Sequence, residues 1–393
     1  MNLSKIANNL GGSIIREMFN EAMKMQNTIS FTVGEPDFVT PKPLIDAACE
    51  AWQQGRTHYT PNAGILPLRK AVAQYHKQAG EFDIDPETQV IVTCGATEAV
   101  QLALFTVVNP GDEVILIEPA WPNYFGQIGM VGAIAVRVPA LEENAFIPRP
   151  ANIAAAITPR TRAIILNSPC NPTGAVIDRE TYGEILKVLE PHDIWIIADE
   201  VYSRLLYTGK PFTGIAAFPH MHERMIYINS FSKMFAMTGW RLGYAISTPE
   251  VVRNMTKLHE NGASCLAEPG QIAAAQALLK HTGEIEKMRK VFHERRDLIC
   301  GLINDIDRLS CLVPGGAFYA FVNIKQLGIP SKEFCLGLLR NTGVVIVPGM
   351  GFGDTAEGYV RFTYAASNEC IEEGLRRVKK YVDSLAHNPL PPK

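Results

Sequence analysis

Residues 194–199 read IWIIAD, an unbroken apolar run that ends on the carboxylate of Asp199. A run without alternation is typical of a strand buried on both faces, as the strands of parallel sheets are. Ligands of such sheets bind at the carboxyl ends of the strands. We therefore predict a buried parallel strand that brings Asp199 to the edge of a sheet where a ligand binds.

Similar apolar runs recur through the middle of the chain and are separated by helical patterns, such as those at 97–107 and 180–189. The runs cover residues 90–93, 113–117, 133–138, 163–167, 194–198, 225–229 and 242–246. Because strands that alternate with helices form parallel sheets covered on both faces, the pattern predicts an α/β fold with a mostly parallel seven-stranded sheet.

The end of the chain has a different pattern. Helical patterns at 283–306 and 371–384 flank short apolar runs at 317–322, 344–347 and 359–364. This pattern predicts a smaller α+β domain, which we expect both chain ends to build. The predicted division is an N-terminal arm at 1–12, a small domain at 13–44 plus 283–393 with a loose proline-rich tail at 387–393, and a large cofactor-binding domain at 45–282.

The composition narrows the class of protein. The chain has 393 residues, 47% of them hydrophobic, and a formal net charge of −3, which gives no long-range attraction to nucleic acid or to an anionic membrane. The eight cysteines form no C-x-x-C pair, which suits free thiols in a reducing cytosol. No secretory h-region is visible near the start, and no run approaches the roughly 20 apolar residues that span a bilayer. We predict a cytoplasmic protein with neither nucleic acid nor membrane as a partner.

Residues 230–244, SFSKMFAMTGWRLGY, place Lys233 among small polar and apolar side chains. A lysine that is partly desolvated loses its proton near neutral pH and becomes a nucleophile towards carbonyl groups, including the aldehyde of pyridoxal phosphate. The hydroxyls of Ser230 and Ser232 and the guanidinium of Arg241 are groups that bind phosphate well. The alternative is a buried loop lysine with an ion-pair partner.

A possible anion site follows the run at 90–93, where Gly95, Ala96 and Thr97 open a helical pattern. Small residues let the backbone approach an anion, and the helix N-terminus offers unpaired N–H groups with a partial positive charge. A plain turn capped by Thr97 is the alternative for this segment.

Polar or aromatic side chains also follow three other runs. Asn171 lies in a rigid uncharged loop, residues 167–174, and its amide could donate a hydrogen bond to a ring oxygen. Trp121 could stack on an aromatic ring, although a partly buried tryptophan fixed by prolines is the commoner case. Asp199 could pair with a pyridinium N–H, with Tyr202 close to the same ring, or could form a structural pair with Arg204.

Arg361 alternates with apolar residues in the run at 359–364, so its guanidinium needs an anion on a half-buried strand. A substrate carboxylate would meet this need through two parallel hydrogen bonds, and an internal Asp or Glu would meet it equally well. The nine histidines show no spacing that is typical of metal ligands, so no metal site is predicted.

Together these residues resemble the class I/II aminotransferases, pyridoxal-phosphate enzymes of fold type I, with most likeness to the aspartate and aromatic branch. The resemblance extends over about residues 30–379. It depends on Gly34, Tyr59, Gly95, Ala96, Thr97, Trp121, the NPTG tetrapeptide at 171–174, residues 199–202, residues 230–233, Arg241 and Arg361.

The resemblance implies pyridoxal 5'-phosphate as the cofactor. Lys233 would bind it covalently and later move a proton between the substrate α-carbon and the cofactor, while Asp199 would pair with the pyridine nitrogen. The other cofactor ligands would be Tyr202 and Asn171 at the ring oxygen, Trp121 on the ring face, and Gly95, Ala96, Thr97, Ser230 and Arg241 around the phosphate.

The resemblance also implies how substrate and subunits meet. Arg361 would bind the α-carboxylate of the substrate, with help from Asn171, Trp121 and the backbone of Gly34. Tyr59 would reach the phosphate of the neighbouring subunit, so the active unit would be a homodimer with shared active sites.

The implied activity is an aminotransferase with a ping-pong mechanism. An L-amino acid (aspartate, aromatic or neutral) would give its nitrogen to the cofactor, and a 2-oxo acid such as 2-oxoglutarate would take it. No convincing cation for an aspartate side chain is apparent, because the helix after Gly95 carries Glu98 and no lysine. Two alternatives stay open: a C–S lyase that performs β-elimination on the same cofactor, and a sensor protein that keeps the fold without turnover.

Overall fold

The computed structural model describes residues 3–12 and 14–387. The predicted loose tail begins at residue 387, and its residues 388–393 lie outside the described part. Residues 1–2 of the predicted arm and residue 13 also lie outside it. Within the described part the strands are β1 (Ile29–Ser30), β2 (Val90–Thr93), β3 (Glu113–Glu118), β4 (Ile134–Pro139), β5 (Thr161–Asn167), β6 (Trp195–Asp199), β7 (Met225–Ser230), β8 (Gly243–Ile246), β9 (Ser310–Cys311), β10 (Tyr319–Asn323), β11 (Val344–Val345), β12 (Val347–Pro348) and β13 (Tyr359–Thr363).

Helices separate most of the strands. In the same residues they are α1 (Lys5–Asn9), α2 (Ile14–Ala22), α3 (Lys42–Gln53), α4 (Leu66–Gln78), α5 (Gly95–Val107), α6 (Pro122–Met130), α7 (Pro150–Ala156), α8 (Arg179–Leu189), α9 (Phe231–Met234), α10 (Pro249–Gly262), α11 (Glu268–Lys280), α12 (Gly283–Asn304), α13 (Ser331–Thr342) and α14 (Asn368–His387).

The central sheet has seven strands in the order β2-β8-β7-β6-β5-β3-β4. The pairs from β7 to β4 are parallel, and β8 runs antiparallel to both of its neighbours. All seven strands predicted for this sheet are present, with ends that differ by no more than two residues. The prediction of a mostly parallel seven-stranded sheet is therefore confirmed.

Successive residues of a strand point to opposite faces, and this divides the sheet's core into two layers. Ile196 packs in the layer formed with α3, α4, α8 and α11, whereas Ile197 packs in the layer formed with α5, α6 and α10. Both side chains are fully buried. Burial on both faces explains why these strands have unbroken apolar sequences.

A second core surrounds an antiparallel sheet, β12-β13-β10-β9, and the parallel pair β1-β11. Met18 and Phe31 from near the start of the chain pack there with side chains of α12, α13 and α14. The run predicted as one strand at 344–347 is split around Ile346, because β11 pairs with β1 and β12 pairs with β13. The sequence VVIVP does not reveal this change of partner.

The topology brings several chain segments to one place. Strands β3, β5, β6 and β7 run parallel, so the residues that follow them emerge at one edge of the central sheet. The segment after β1 approaches the same edge, because Phe31 forms backbone hydrogen bonds with Val345 and Thr363. This anchoring positions Gly34 near the strand ends.

Candidate active site

A cavity of about 210 Å³ opens at the carboxyl edge of the central sheet, between that sheet and residues of the second core. Eleven of the site residues predicted from the sequence line it: Gly34, Ala96, Thr97, Trp121, Asn171, Asp199, Tyr202, Ser230, Lys233, Arg241 and Arg361. Gly95 begins α5 immediately beside this lining. Tyr59 is not among the lining residues, and 91% of its surface is exposed.

Lys233 lies on the short helix α9, which follows directly from β7. Its Nζ donates a hydrogen bond to the backbone carbonyl of Gly34. Burial lowers the pKa of Lys233 to about 8, with a smaller opposing effect of Glu35 and a further lowering by Arg241. No carboxylate of the described residues lies within ion-pair distance of Nζ. An amine of this kind is partly neutral at physiological pH, which is the state that attacks carbonyl groups.

Asp199 is the last residue of β6 and is buried. Its Oδ2 accepts a hydrogen bond of 2.6 Å from the Tyr124 hydroxyl, and its Oδ1 accepts one of 3.3 Å from the Val201 amide. Burial raises the pKa of Asp199 to about 6, although the Tyr124 hydrogen bond opposes this rise. Arg204, the structural partner considered from the sequence, instead pairs with Glu81 at 2.8 Å. Asp199 is thus available to a cation or N–H group in the cavity.

The start of α5 and Arg241 form a cradle for an anion. No side chain caps this helix, so its first N–H groups are unpaired, as they are at any helix N-terminus. Gly243 packs so closely that a Cβ there would lie 2.6 Å from the Ala96 nitrogen. Arg241, at φ 54°, donates from its guanidinium to the carbonyls of Thr238 and Cys94, at 2.9 and 3.3 Å. Neutral carbonyls orient this guanidinium and leave its charge uncompensated.

Arg361 lies in the middle of β13, and only 1% of its surface is exposed. Its Nη1 donates to the side-chain oxygen of Asn171 at 2.9 Å, its Nη2 donates to the carbonyl of Thr32, and its Nε has no partner among the described residues. Burial lowers the pKa of Arg361. Since none of its contacts is a carboxylate, the internal Asp or Glu considered from the sequence is not what the guanidinium meets. A buried guanidinium with an unpaired N–H suits an incoming carboxylate.

Among the lining residues that the sequence analysis did not assign to the site are two tyrosines, Tyr124 and Tyr319. Tyr124 lies on α6 and bonds Asp199, and Tyr319 begins β10 and bonds the Tyr202 hydroxyl at 2.8 Å. Both contacts join residues far apart in the chain. The only local signal is that Tyr124 follows Trp121 after the end of β3, where the sheet topology concentrates site residues.

Residues 3–12 and 14–387 contain neither a candidate metal centre nor a helix suited to cross a membrane. No group of three or more His, Cys, Asp or Glu side chains there has an arrangement that could hold a metal ion. None of the helices in that part of the chain is both long enough and apolar enough to cross a membrane.

Comparison with known proteins places this geometry in context. Residues 26–378 match the family described as aminotransferase class I and II. The chain is 41% identical to an aspartate aminotransferase of Pyrococcus horikoshii, over 94% of this chain and 95% of that protein. It is 40% identical to aromatic-amino-acid aminotransferase 2 of Thermococcus litoralis, again over 94% of this chain and 95% of the relative.

A solved structure has the same fold over almost its entire length. The aspartate aminotransferase of Thermus thermophilus, determined with maleate, superposes with a TM-score of 0.92 at 33% identity and covers 97% of this chain and 100% of its own. The likeness therefore includes both the central sheet and the second core.

Proposed function

Because this chain belongs to the class I and II aminotransferases, we propose that it moves the amino group of an L-amino acid to a 2-oxo acid with pyridoxal 5'-phosphate as its cofactor. The observation that carries the proposal is the buried guanidinium of Arg361, which meets only neutral oxygen acceptors, in the same cavity as the Lys233 amine. A carboxylate bound at Arg361 would hold the α-carbon of an amino acid beside that amine.

The residues of the cavity fit the cofactor. The uncapped start of α5 and the uncompensated guanidinium of Arg241 suit a dianionic phosphate, and Gly243 leaves the backbone there without an obstructing Cβ. At the other end, Asp199 offers a buried carboxylate for a pyridinium N–H. The same cavity is also lined by Ser230, Tyr202, Asn171 and Trp121.

When bound, pyridoxal phosphate supplies an aldehyde that combines with amines and a pyridine ring that withdraws electrons from the substrate α-carbon. Asp199 would then favour the protonated form of the pyridine nitrogen. Arg361 and Asn171 hold the substrate carboxylate and so orient the α-carbon. Lys233 Nζ would take the proton from the α-carbon and carry it across the site, since an amine with a pKa of about 8 is partly neutral near neutral pH.

We infer that the amino acid is an aspartate, aromatic or neutral donor and that 2-oxoglutarate is a suitable acceptor, with the two half-reactions following in ping-pong order. The names of the two relatives support aspartate and aromatic donors. The cavity lining carries three cations, Lys233, Arg241 and Arg361, and each already has a role in this scheme. No cation of the cavity lining is therefore left to bind the second carboxylate of a dicarboxylic substrate.

We further propose a homodimer in which Tyr59 completes the phosphate site of the partner subunit. Tyr59 projects from its own chain with 91% of its surface exposed, which suits a contact made outside that chain. We also propose a cytoplasmic location, since all eight cysteines are free thiols, as in proteins of reducing compartments.

The decisive experiment compares wild type with Lys233→Ala, using Lys210→Ala, an exposed lysine, as the matched control. Each protein is loaded with pyridoxal phosphate and mixed with single amino acids, and the absorption band of the bound cofactor is followed. We expect wild type and Lys210→Ala to lose the band with their donors, and Lys233→Ala to be slower by roughly 10²–10⁴-fold.

Turnover of Lys233→Ala at the wild-type rate would overturn the proposal. Release of pyruvate and ammonia from cystathionine without any 2-oxo acid would point instead to β-elimination. The two reactions are distinguished by whether product formation requires the second substrate.

A further inference from the structure

Tyr319 occupies a position from which it reaches two separate parts of the site. It pairs with Thr363 in the antiparallel register of β10 and β13, and Phe321, two residues later, pairs with Arg361. Tyr319 and Arg361 are therefore diagonal neighbours on the same face of the sheet, where long side chains make contact. Tyr319 is 1% exposed and lines the cavity.

The ring of Tyr319 stabilises the guanidinium of Arg361. The Cζ of Arg361 lies 4.5 Å from the centre of the Tyr319 ring and 5.1 Å from that of Phe352. An aromatic face attracts a cation without occupying its N–H groups. The buried charge is thus stabilised without any N–H group of the guanidinium being taken up by the rings.

The hydroxyl of Tyr319 acts on a different group, the hydroxyl of Tyr202, at 2.8 Å. Each phenol has a single proton to donate. If Tyr202 donates its proton to an acceptor in the cavity, the bond between the two tyrosines is made by the proton of Tyr319. Tyr202 then accepts one hydrogen bond while donating another, and such chains strengthen each member.

The absence of a side chain at Gly34 leaves room for the Tyr319 hydroxyl. A Cβ at residue 34 would overlap this hydroxyl, so the close approach needs glycine. The carbonyl of the same Gly34 accepts the hydrogen bond from Lys233. Tyr319 consequently packs against the backbone that orients the reactive amine.

We propose that Tyr319 is a positioning residue with two separable effects: its ring maintains the affinity of Arg361 for the substrate carboxylate, and its hydroxyl makes Tyr202 a stronger hydrogen-bond donor to the oxygen of the cofactor ring. The inference rests on the proposed function, since it assigns Tyr202 and Arg361 their roles towards cofactor and substrate. It adds a residue that acts through its contacts with Tyr202 and Arg361.

Tyr319→Phe tests the hydroxyl, because it keeps the ring and nearly the same volume. The readout is the pH midpoint of the absorption change of the bound cofactor, which needs no turnover. Without the hydrogen bond from Tyr319, Tyr202 stabilises the ionised oxygen of the cofactor ring less. That oxygen then attracts the neighbouring proton of the bound cofactor more strongly, so the proton is lost at a higher pH. We expect the midpoint to rise by roughly 0.1–0.6 pH unit, from a strengthening of 10–30% in a hydrogen bond to a charged group.

Tyr319→Leu tests the ring. The probe is 2-methylalanine, which carries the amino and carboxylate groups but has no α-hydrogen to lose. Loss of the aromatic face should raise its dissociation constant by roughly 2- to 30-fold. Tyr319→Phe should change that constant by less than twofold, so the two variants separate the two effects.

Tyr359→Phe is the matched control, because this tyrosine lies on β13, lines no part of the cavity, and has its hydroxyl bonded to Lys325 and Glu142. The control should match wild type in both measurements. If Tyr319→Phe has the wild-type midpoint, the inference is overturned, and this variant decides the matter even if Tyr319→Leu fails to fold. If the absorption of the cofactor bound to the wild-type protein does not change when amino acids are added, the proposed function is overturned together with this inference.

Discussion

The lowered pKa of Lys233 predicts how fast the cofactor-free protein captures pyridoxal phosphate at each pH. With a pKa of about 8, roughly 10% of the amine is neutral at pH 7. An ordinary lysine, with a pKa near 10.4, is roughly 0.04% neutral at the same pH. Because only the neutral amine attacks the aldehyde, attachment at pH 7 should be roughly 200-fold faster than for a free lysine side chain of equal intrinsic reactivity. The rate should climb about tenfold per pH unit below pH 8 and level off above it.

The assay mixes cofactor-free protein with pyridoxal phosphate at a series of pH values, traps the product with borohydride at timed intervals, and measures the mass of the intact chain. Nα-acetyl-lysine amide under the same conditions corrects for ionisations of the cofactor itself, and Lys233→Ala measures attachment elsewhere. Glu35→Gln should move the plateau to lower pH, because Glu35 raises the pKa of Lys233. If the attachment rate of the protein climbs in parallel with that of Nα-acetyl-lysine amide up to pH 10, the reasoning is refuted.

Two further substitutions test the other ends of the cavity. Arg361→Gln removes the charge that we propose binds the substrate carboxylate, and it should lower kcat/KM by roughly 30-fold or more. Arg340→Gln, at an exposed position, should leave kcat/KM at the wild-type value, and an equal effect of both variants would contradict a specific role of Arg361. Tyr124→Phe removes the hydrogen bond that holds down the pKa of Asp199, so that pKa should rise above about 6 and less carboxylate should be ionised near pH 6. Equilibrium dialysis should show cofactor binding weakened by roughly tenfold at pH 6 and by less at pH 8, and a defect independent of pH would refute this explanation.

The residues at the strand ends show how much of the site the sequence alone predicts. Asp199 is predictable because an apolar strand that ends on a carboxylate is both a structural and an energetic signal, and the structure places it at the last position of β6. Tyr319 gives no such signal, since a tyrosine at the start of a strand is ordinary. The role that we propose for it depends on contacts with Tyr202 and Arg361, which lie 117 and 42 residues away along the chain. The split of 344–347 is missed for the same reason, because pairing partners belong to the tertiary structure.

The charges of the cavity are coupled through Lys233. Arg241 and Arg361 both lower the pKa of its amine, in addition to the larger effect of burial. A phosphate at Arg241 neutralises one of these cations, and a carboxylate at Arg361 neutralises the other. Each anion therefore raises the pKa of the amine. In the proposed reaction the phosphate arrives together with the aldehyde, whereas the carboxylate arrives with the substrate, so Lys233 is less basic when it attacks the aldehyde than after the substrate has bound. It is most basic when the substrate is in place and a proton must be taken from the α-carbon. One lysine can thus serve as nucleophile and as base because the ligands themselves change its electrostatic surroundings.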